Sequence, residues 1–302
     1  MTISEFKQSA LKQLANSPSP ALDIEVLIEY YTGLTKTQIL MNRDRQLNLE
    51  QEQNLVRAVT QRSSGLPVAY ITGHKEFYGY DFTVSPAVLI PKPDTEILVE
   101  KAVELIYQKL EMRPNSIPTV CDMCTGSGCI AISVFRQLAD EFNVPLSRMP
   151  KFTLVDISSA ALEVARKNAE QLLSPGEQEY FRFVQSNLFE MIPYTFDVIL
   201  TNPPYIPSSM VDELLKDGRS EPRLALDGDV KLTGDSSKTD DGLEIIRNIF
   251  LQVRKNLSPM GEILMETGEY NAEAAAKLAE KEEFETEIFK DLEGQLRVVY
   301  CR

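Results

Sequence analysis

The residues best suited to chemistry are Asn202, Pro203, Pro204 and Tyr205, which follow an apolar run at 196–200. The run predicts a buried strand, and the prolines end it because proline cannot donate a ladder hydrogen bond. The Asn202 side-chain oxygen and a proline carbonyl then offer two neighbouring acceptors, and Tyr205 offers a flat face. Two acceptors suit a planar –NH2 group. The stretch therefore predicts a site for a carboxamide or a nucleobase amino group; the structural alternative is a proline-rich turn.

A glycine-rich turn lies between a predicted strand at 119–122 and a predicted helix at 130–138. Glycines in such a turn let a ligand approach the backbone closely. The turn has fewer glycines than the dinucleotide-binding fingerprint, so it does not predict that ligand. Its residues are Cys124, Thr125, Gly126, Ser127 and Gly128.

Two further strand ends carry polar residues. Asp156 ends a predicted strand at 152–155, where an acidic residue can accept hydrogen bonds from both ribose hydroxyls. A third strand, at 180–185, leads to Asn187 and Leu188. We expect these two side chains to hold the amino edge and the face of an adenine, so the three strand ends together predict a nucleoside cofactor.

The chain before residue 91 is predicted to form two separate regions. Residues 1–65 show helical patterns, with Thr2 and Glu5 at capping-box spacing, which predicts a small all-α domain for stabilisation or partner docking. Residues 66–90 form a connector in which Gly79 separates two aromatic-rich runs and predicts a β-hairpin.

Residues 91–302 are predicted to form an α/β domain. Alternating strands and helices favour a mostly parallel sheet with right-handed crossovers. Asp94 or Thr95 is expected to cap the first helix of this domain, at 97–110. The elements predicted after Tyr205 are a helix at 243–257, a strand at 261–265, a helix at 272–280 and strands at 284–289 and 296–300.

Composition narrows the functional classes. A net charge of −14 disfavours a protein that holds nucleic acid through its phosphates and favours a basic protein partner. No apolar run approaches the length of a membrane span, and the start of the chain lacks the pattern of a signal peptide. Four cysteines in 302 residues do not predict a disulfide framework, so we expect a cytoplasmic protein. We expect no metal site, because His74, the only histidine, has no ligand cluster around it.

The motifs together resemble a known family. The segment from Asp122 to Gly128, Asp156, Asn187 and the segment from Asn202 to Tyr205 resemble the class I S-adenosylmethionine-dependent methyltransferases. Four stretches are more specific and resemble the bacterial release factor glutamine methyltransferases, the HemK/PrmC family. These stretches are residues 67–73, 88–96, 202–205 and 221–226.

The resemblance implies a fold and a reaction. The fold would be a doubly wound, Rossmann-like, seven-stranded sheet behind the helical domain and the hairpin connector. The reaction would be N5-methylation of the glutamine amide in the Gly-Gly-Gln motif of peptide chain release factors, with S-adenosylmethionine as donor. Asn202 and the Pro203 carbonyl would receive the glutamine –NH2 with Tyr205 alongside. Cys124 to Gly128, Asp156, Asn187, Leu188 and Asn202 would line the cofactor.

Two features depart from the family pattern. Cys124 stands where family members usually have glycine, and the loop at 227–241 is longer than expected. The composition of that loop predicts a mobile surface segment. Cys121, Cys124 and Cys129 also suggest a metal or redox site, but a strand end and a helix start without a fourth ligand favour packing roles.

Three other functions are compatible with parts of the pattern. N6-adenine methylation of DNA or RNA uses a similar conjugated –NH2 group, but the acidity of the chain and the lack of a basic target-recognition domain disfavour it. Methylation of a glutamine in a ribosomal protein would need the same catalytic core. A non-catalytic cofactor-binding subunit would not need Asn202 and Tyr205.

Overall fold

The computed structural model describes residues 1–216, 221–230 and 239–302. The chain forms two compact units. One comprises residues 1–74 and a segment that begins at Glu213, and the other comprises residues 75–212 and 221–302. The predicted domain boundaries after residues 65 and 90 stay predictions. None of the helices in the described ranges is long and apolar enough to cross a membrane.

The first unit is helical, and its helix starts follow from the sequence. Thr2, Thr35 and Asn48 each accept a hydrogen bond from the backbone N–H three residues on, and the Glu or Gln at that position reciprocates. Gly33 ends the second helix in the left-handed conformation. Buried apolar side chains of the first four helices form one core. The described helices of this unit are α1 (Ile3–Gln13), α2 (Pro20–Thr32), α3 (Lys36–Met41), α4 (Leu49–Ser63) and α5 (Val68–Thr72).

The predicted hairpin is present as β1 (His74–Phe77) and β2 (Tyr80–Thr83), with Gly79 at a positive φ in the turn. The helix that follows is α6 (Glu96–Met112). Thr95 precedes it but makes no side-chain capping hydrogen bond, so the predicted capping role is wrong. The Thr95 side chain has other partners, which lie in the site described below.

The second unit is built on a seven-stranded sheet, which confirms the predicted fold class. The strand order is β5-β4-β3-β6-β7-β9-β8; β9 runs antiparallel to β7 and β8, and the other neighbouring strands described here pair in parallel. The strands are β3 (Thr119–Met123), β4 (Lys151–Asp156), β5 (Phe181–Gln185), β6 (Phe196–Thr201), β7 (Leu257–Glu266), β8 (Thr286–Lys290) and β9 (Leu296–Cys301). The later helices are α7 (Cys129–Asp140), α8 (Ser159–Leu172), α9 (Pro175–Gln178), α10 (Ser208–Lys216), α11 (Glu244–Val253) and α12 (Ala272–Lys281).

Two apolar cores cover the two faces of this sheet. The strand order reverses at β3, which lies between β4 and β6. In open α/β sheets ligands bind outside the carboxyl ends of the strands at such a reversal. The topology therefore places a binding crevice where β3, β4, β5 and β6 end.

Candidate active site

A cavity of about 250 Å³ lies at these strand ends. Most of the residues predicted to bind the cofactor or the target amide line it: Cys124, Thr125, Gly126, Ser127, Asp156, Asn187, Leu188, Asn202 and Pro204. Gly128, Pro203 and Tyr205 are not among the described lining residues. The sheet therefore brings together side chains that are far apart in sequence.

The glycine-rich turn joins β3 to α7 and is held by two carboxylates, one buried and one partly buried. The Thr125 hydroxyl donates to Asp122 Oδ2 at 2.7 Å, and the Gly126 N–H donates to Asp156 Oδ2 at 2.9 Å. Cys124 has a φ of 60°, the left-handed conformation that favours glycine. Gly128 does not line the cavity; a Cβ there would lie 3.2–3.3 Å from side chains of α7, α8 and β4, so this glycine permits close packing.

Asp156 links the turn to the end of β4. Its Oδ1 accepts the Ser158 N–H at 2.9 Å, while Oδ2 accepts the Gly126 N–H. Burial raises the pKa of Asp156, and these backbone hydrogen bonds oppose the rise. A carboxylate has about four acceptor sites. Asp156 therefore keeps acceptor capacity for the ribose hydroxyls that the sequence predicts it to bind.

Asn187 lines the cavity and carries a buried acceptor without a partner among the described residues. Its Nδ2 donates to Glu190 Oε1 at 2.8 Å, while its buried Oδ1 has no hydrogen-bond partner in the described part of the chain. A buried acceptor without a partner costs free energy unless a ligand satisfies it. An adenine amino group would supply the missing donor. Leu188, which also lines the cavity, adopts a φ of 47° and supplies an apolar surface.

Asn202 follows β6 directly, and its amide is oriented. The Asn202 Nδ2 donates to Thr95 Oγ1 at 3.3 Å, and both residues line the cavity. Because the nitrogen end of the amide faces Thr95, the oxygen end is left as an acceptor. This is the arrangement that an incoming –NH2 group requires.

Tyr205 is held through its backbone. Its carbonyl accepts the Asn271 Nδ2 at 3.0 Å and the Tyr270 hydroxyl at 3.3 Å. Gly242 packs so closely that a Cβ there would lie 2.1 Å from the same carbonyl oxygen. Burial raises the pKa of the Tyr205 phenol, so the ring stays neutral and offers an apolar face rather than a base.

The long loop at 227–241 is anchored at both ends. Asp229 accepts the Gly242 N–H at 2.9 and 3.0 Å through its two oxygens. Asp227 and Asp229 are 1% and 3% exposed, so the predicted surface loop is wrong at these residues. Residues 231–238, where most of the prediction falls, lie outside the described residues.

The sequence motifs do not single out Glu266, and they give no role of their own to Asp122 and Lys92, which lie in stretches that carry the family resemblance. Glu266, at the end of β7, is fully buried near Asn202, and burial raises its pKa to about 7. Asp122, behind the glycine-rich turn, likewise has a pKa raised by burial to about 7. Lys92 lines the cavity and pairs with Glu221 at 2.8 Å. Glu266 ends the apolar strand β7, and Asp122 lies within the apolar strand β3. An acidic residue in an apolar strand is the feature of the sequence that could have identified both.

The cysteines are free thiols in the structure. Burial raises the pKa of Cys129 to about 12 and also raises the pKa values of Cys121 and Cys124. Thiols with raised pKa values are poor nucleophiles and poor metal ligands at neutral pH. Among the described residues, no group of three or more His, Cys, Asp or Glu side chains could hold a metal ion.

Comparisons with known protein families match the N-terminal helical region and the α/β region separately. Residues 5–73 match the PrmC N-terminal domain, and residues 115–299 match a methyltransferase domain. The chain is 36% identical over 307 residues to the release factor glutamine methyltransferase of Koribacter versatilis (strain Ellin345), covering 100% of this chain and 99% of that protein. The chain belongs to the release factor glutamine methyltransferase family. The identification confirms the prediction of a methyltransferase that uses S-adenosylmethionine.

Other relatives agree with this assignment. The release factor glutamine methyltransferase of Leptospira interrogans (serogroup Icterohaemorrhagiae serovar Lai, strain 56601) is 43% identical over 213 residues, which are 69% of this chain and 68% of that protein. Among solved structures, the hMettl16 catalytic domain in complex with MAT2A 3'UTR hairpin 6 aligns with a TM-score of 0.50 and 13% identity, over 85% of this chain and 86% of that one. This second likeness shows a shared methyltransferase fold.

Proposed function

We propose that this protein methylates the side-chain amide nitrogen of the glutamine in the Gly-Gly-Gln motif of peptide chain release factors. The observation that carries the proposal is the orientation of Asn202: its nitrogen donates to Thr95, which leaves its oxygen as the acceptor, and the residue lines the cavity. An acceptor at that point suits a primary carboxamide. The family membership supplies the release factor as the protein that presents it.

The chain's own residues explain how a poor nucleophile reacts. An amide nitrogen is unreactive because its lone pair is delocalised into the carbonyl. Asn202 and the Pro203 carbonyl would each accept one N–H, which aligns the nitrogen for attack and stabilises the positive charge that develops on it. Tyr205 would pack against the planar amide. The nitrogen would gain the methyl group as the methyl–sulfur bond of the donor breaks and S-adenosylhomocysteine leaves. No base is needed before attack, because the N–H proton is easily lost to water once the nitrogen is alkylated.

The cofactor residues fit S-adenosylmethionine, which supplies an activated methyl group on a positively charged sulfur. Asp156 would hold the ribose hydroxyls, Asn187 Oδ1 would accept from the adenine amino group, and Leu188 would lie against the base. The turn from Cys124 to Gly128 would approach the rest of the cofactor closely. A cytoplasmic location is part of the proposal, and the four free cysteines support it.

The test is a methyl-transfer assay with S-adenosylmethionine and purified release factor, read by tandem mass spectrometry. We expect one methyl group on the motif glutamine, and none on a release factor whose motif glutamine is replaced by alanine. DNA and ribosomal proteins serve as parallel substrates. A methylated adenine or ribosomal glutamine with an untouched release factor would refute the proposal.

The Asn202→Ala variant tests the role of the key side chain. It should keep the Kd for S-adenosylmethionine within about threefold and lose roughly 10²–10³-fold in kcat, as for removal of one oriented hydrogen-bonding group. Calorimetry and single-turnover assays measure the two quantities. Equal losses in affinity and turnover would mean that Asn202 only shapes the cofactor pocket.

A further inference from the structure

Glu266 lies beside Asn202 at the carboxyl edge of the sheet. Strands β6 and β7 are parallel neighbours with Thr201 opposite Met265, so the next residues, Asn202 and Glu266, lie side by side. Glu266 is 1% exposed, and its buried Oε2 has no hydrogen-bond partner in the described part of the chain. A buried carboxylate with an unused acceptor is costly. Its position next to the target-binding amide points to a functional reason for keeping it.

The surroundings of Glu266 favour its ionised form only in part. Burial and Asp94 raise the pKa of Glu266, while Thr95, Arg297 and Asn202 each lower it. Arg297 lies on β9 next to Val298, the residue opposite Glu266. The Arg297 guanidinium also pairs with Asp94 and Asp291 at 3.2 Å each, so Glu266 shares its cation with two other acids.

The orientation of Asn202 needs a fixed reference, because the two ends of a carboxamide have nearly the same shape. A flip would turn the Asn202 nitrogen toward the substrate –NH2 and set donor against donor. Thr95 receives the Asn202 N–H at 3.3 Å, but a hydroxyl can be donor or acceptor. Glu266 lies beside Asn202, and Thr95 and Asn202 both lower its pKa by hydrogen bonding. When Glu266 is ionised it removes the choice, because an ionised carboxylate only accepts.

We propose that Glu266 is a positioning residue for methyl transfer: in its ionised form it is an acceptor beside Thr95 and Asn202, and it holds the Asn202 carboxamide with its nitrogen toward the protein and its oxygen toward the substrate amide. The inference rests on the proposed function, since it assigns the substrate –NH2 as the group that Asn202 must accept. Thr95 is the intermediate, because it touches Asn202 and lines the cavity.

The Glu266→Gln variant is the direct test, because it keeps the size of the side chain and adds a donor. We expect kcat to fall roughly 30-fold or more while the Kd for S-adenosylmethionine changes less than about threefold. Glu262→Gln is the matched control: it lies on the same strand and pairs with Lys109 away from the cavity, so its kcat should match wild type. A Glu266→Gln kcat within about threefold of wild type overturns the proposal.

A double-mutant cycle separates positioning from general structural damage. If Glu266 acts through Asn202, Glu266→Gln causes no further loss of kcat in an Asn202→Ala background. Additive losses would overturn the proposal. Thr95→Val should reproduce the Glu266→Gln defect and Thr95→Ser, which keeps the hydroxyl, should retain activity. A fully active Thr95→Val enzyme would remove Thr95 as the intermediate and overturn the proposal.

A spectroscopic readout keeps the inference independent of turnover. In protein labelled with ¹⁵N-asparagine, the side-chain amide signal of Asn202 can be assigned by its absence in Asn202→Ala. We expect slow hydrogen exchange of that amide in wild type and Glu262→Gln, and faster exchange in Glu266→Gln and Thr95→Val. Unchanged exchange in Glu266→Gln overturns the proposal. A wild-type enzyme without activity on release factors would instead remove the proposed function while this result still stands.

Discussion

Gly242→Ala should strongly reduce the rate of methyl transfer, because the added Cβ displaces the backbone of Tyr205. Gly242 has a φ of 71°, and a Cβ there would lie 2.1 Å from the Tyr205 carbonyl oxygen and 2.8 Å from its carbonyl carbon. Contacts shorter than 3.0 Å essentially do not occur for a Cβ atom, so one backbone must move by about 1 Å. A displacement of that size in a reacting geometry costs on the order of 10²-fold in rate.

Two costs must be separated in this variant. A left-handed alanine is strained by about 1 kcal/mol wherever it lies, and forced overpacking adds roughly 1–3 kcal/mol. Gly79→Ala is the matched control, because Gly79 has a φ of 80° and no described atom lies within 4 Å of the position that a Cβ would take. Gly79→Ala therefore carries the strain without the collision.

The assay compares kcat, the Kd for S-adenosylmethionine and the free energy of unfolding for both variants. We expect Gly79→Ala to lose about 1 kcal/mol of stability and no kcat. Gly242→Ala should lose more stability, keep cofactor binding within a few-fold and lose about 10²-fold in kcat. If the two variants have the same kcat, the placement of Tyr205 does not depend on Gly242 and the reasoning is refuted.

Three further changes test separate features. Asp156→Ala should weaken S-adenosylmethionine binding at least about tenfold, since charged hydrogen bonds contribute roughly 1.5–3 kcal/mol; unchanged affinity by calorimetry would remove Asp156 from the site. Cys124→Gly should raise the free energy of unfolding by roughly 0.5–1 kcal/mol by relieving left-handed strain, and a lower melting temperature would show that the thiol packs favourably. Glu266→Gln should be more stable than wild type at pH 8 by up to roughly 3 kcal/mol, because the raised pKa of about 7 makes the wild-type charge costly. That advantage should fade below about pH 4.5, where the carboxyl is protonated in both folded and unfolded states; a pH-independent difference would contradict the assignment.

Local signals in the sequence predicted much of the architecture. Thr2, Thr35 and Asn48 start helices because a capping residue and its reciprocal partner are three positions apart, within one turn. The strands of the sheet follow from apolar runs, and Asn187 and Leu188 come shortly after one of these strands, β5. These features depend on neighbours in sequence, so periodicity and capping reveal them.

The supports of the site could not be predicted in this way. Thr95 resembles a helix cap in sequence, yet its partner is Asn202, more than a hundred residues away. The place of Glu266 depends on the register between β6 and β7, which no local pattern fixes. The Gly242 N–H donates to Asp229, and Gly242 packs against the Tyr205 carbonyl. Both contacts join residues that are not neighbours in sequence. Contacts of this kind are set by tertiary packing.

The contact between Asp229 and Gly242 also makes this position suitable for protein engineering. Asp229 and Gly242 are hydrogen-bonded to each other, so extra residues inserted between these two anchors would add loop-closure entropy of about 0.6 kcal/mol for each doubling of length. Such insertions would leave Gly242 in place against the backbone of Tyr205. The same position would accept an inserted peptide tag or a fluorescent label. Because Val230 lines the cavity, such a label would report the arrival of a macromolecular substrate.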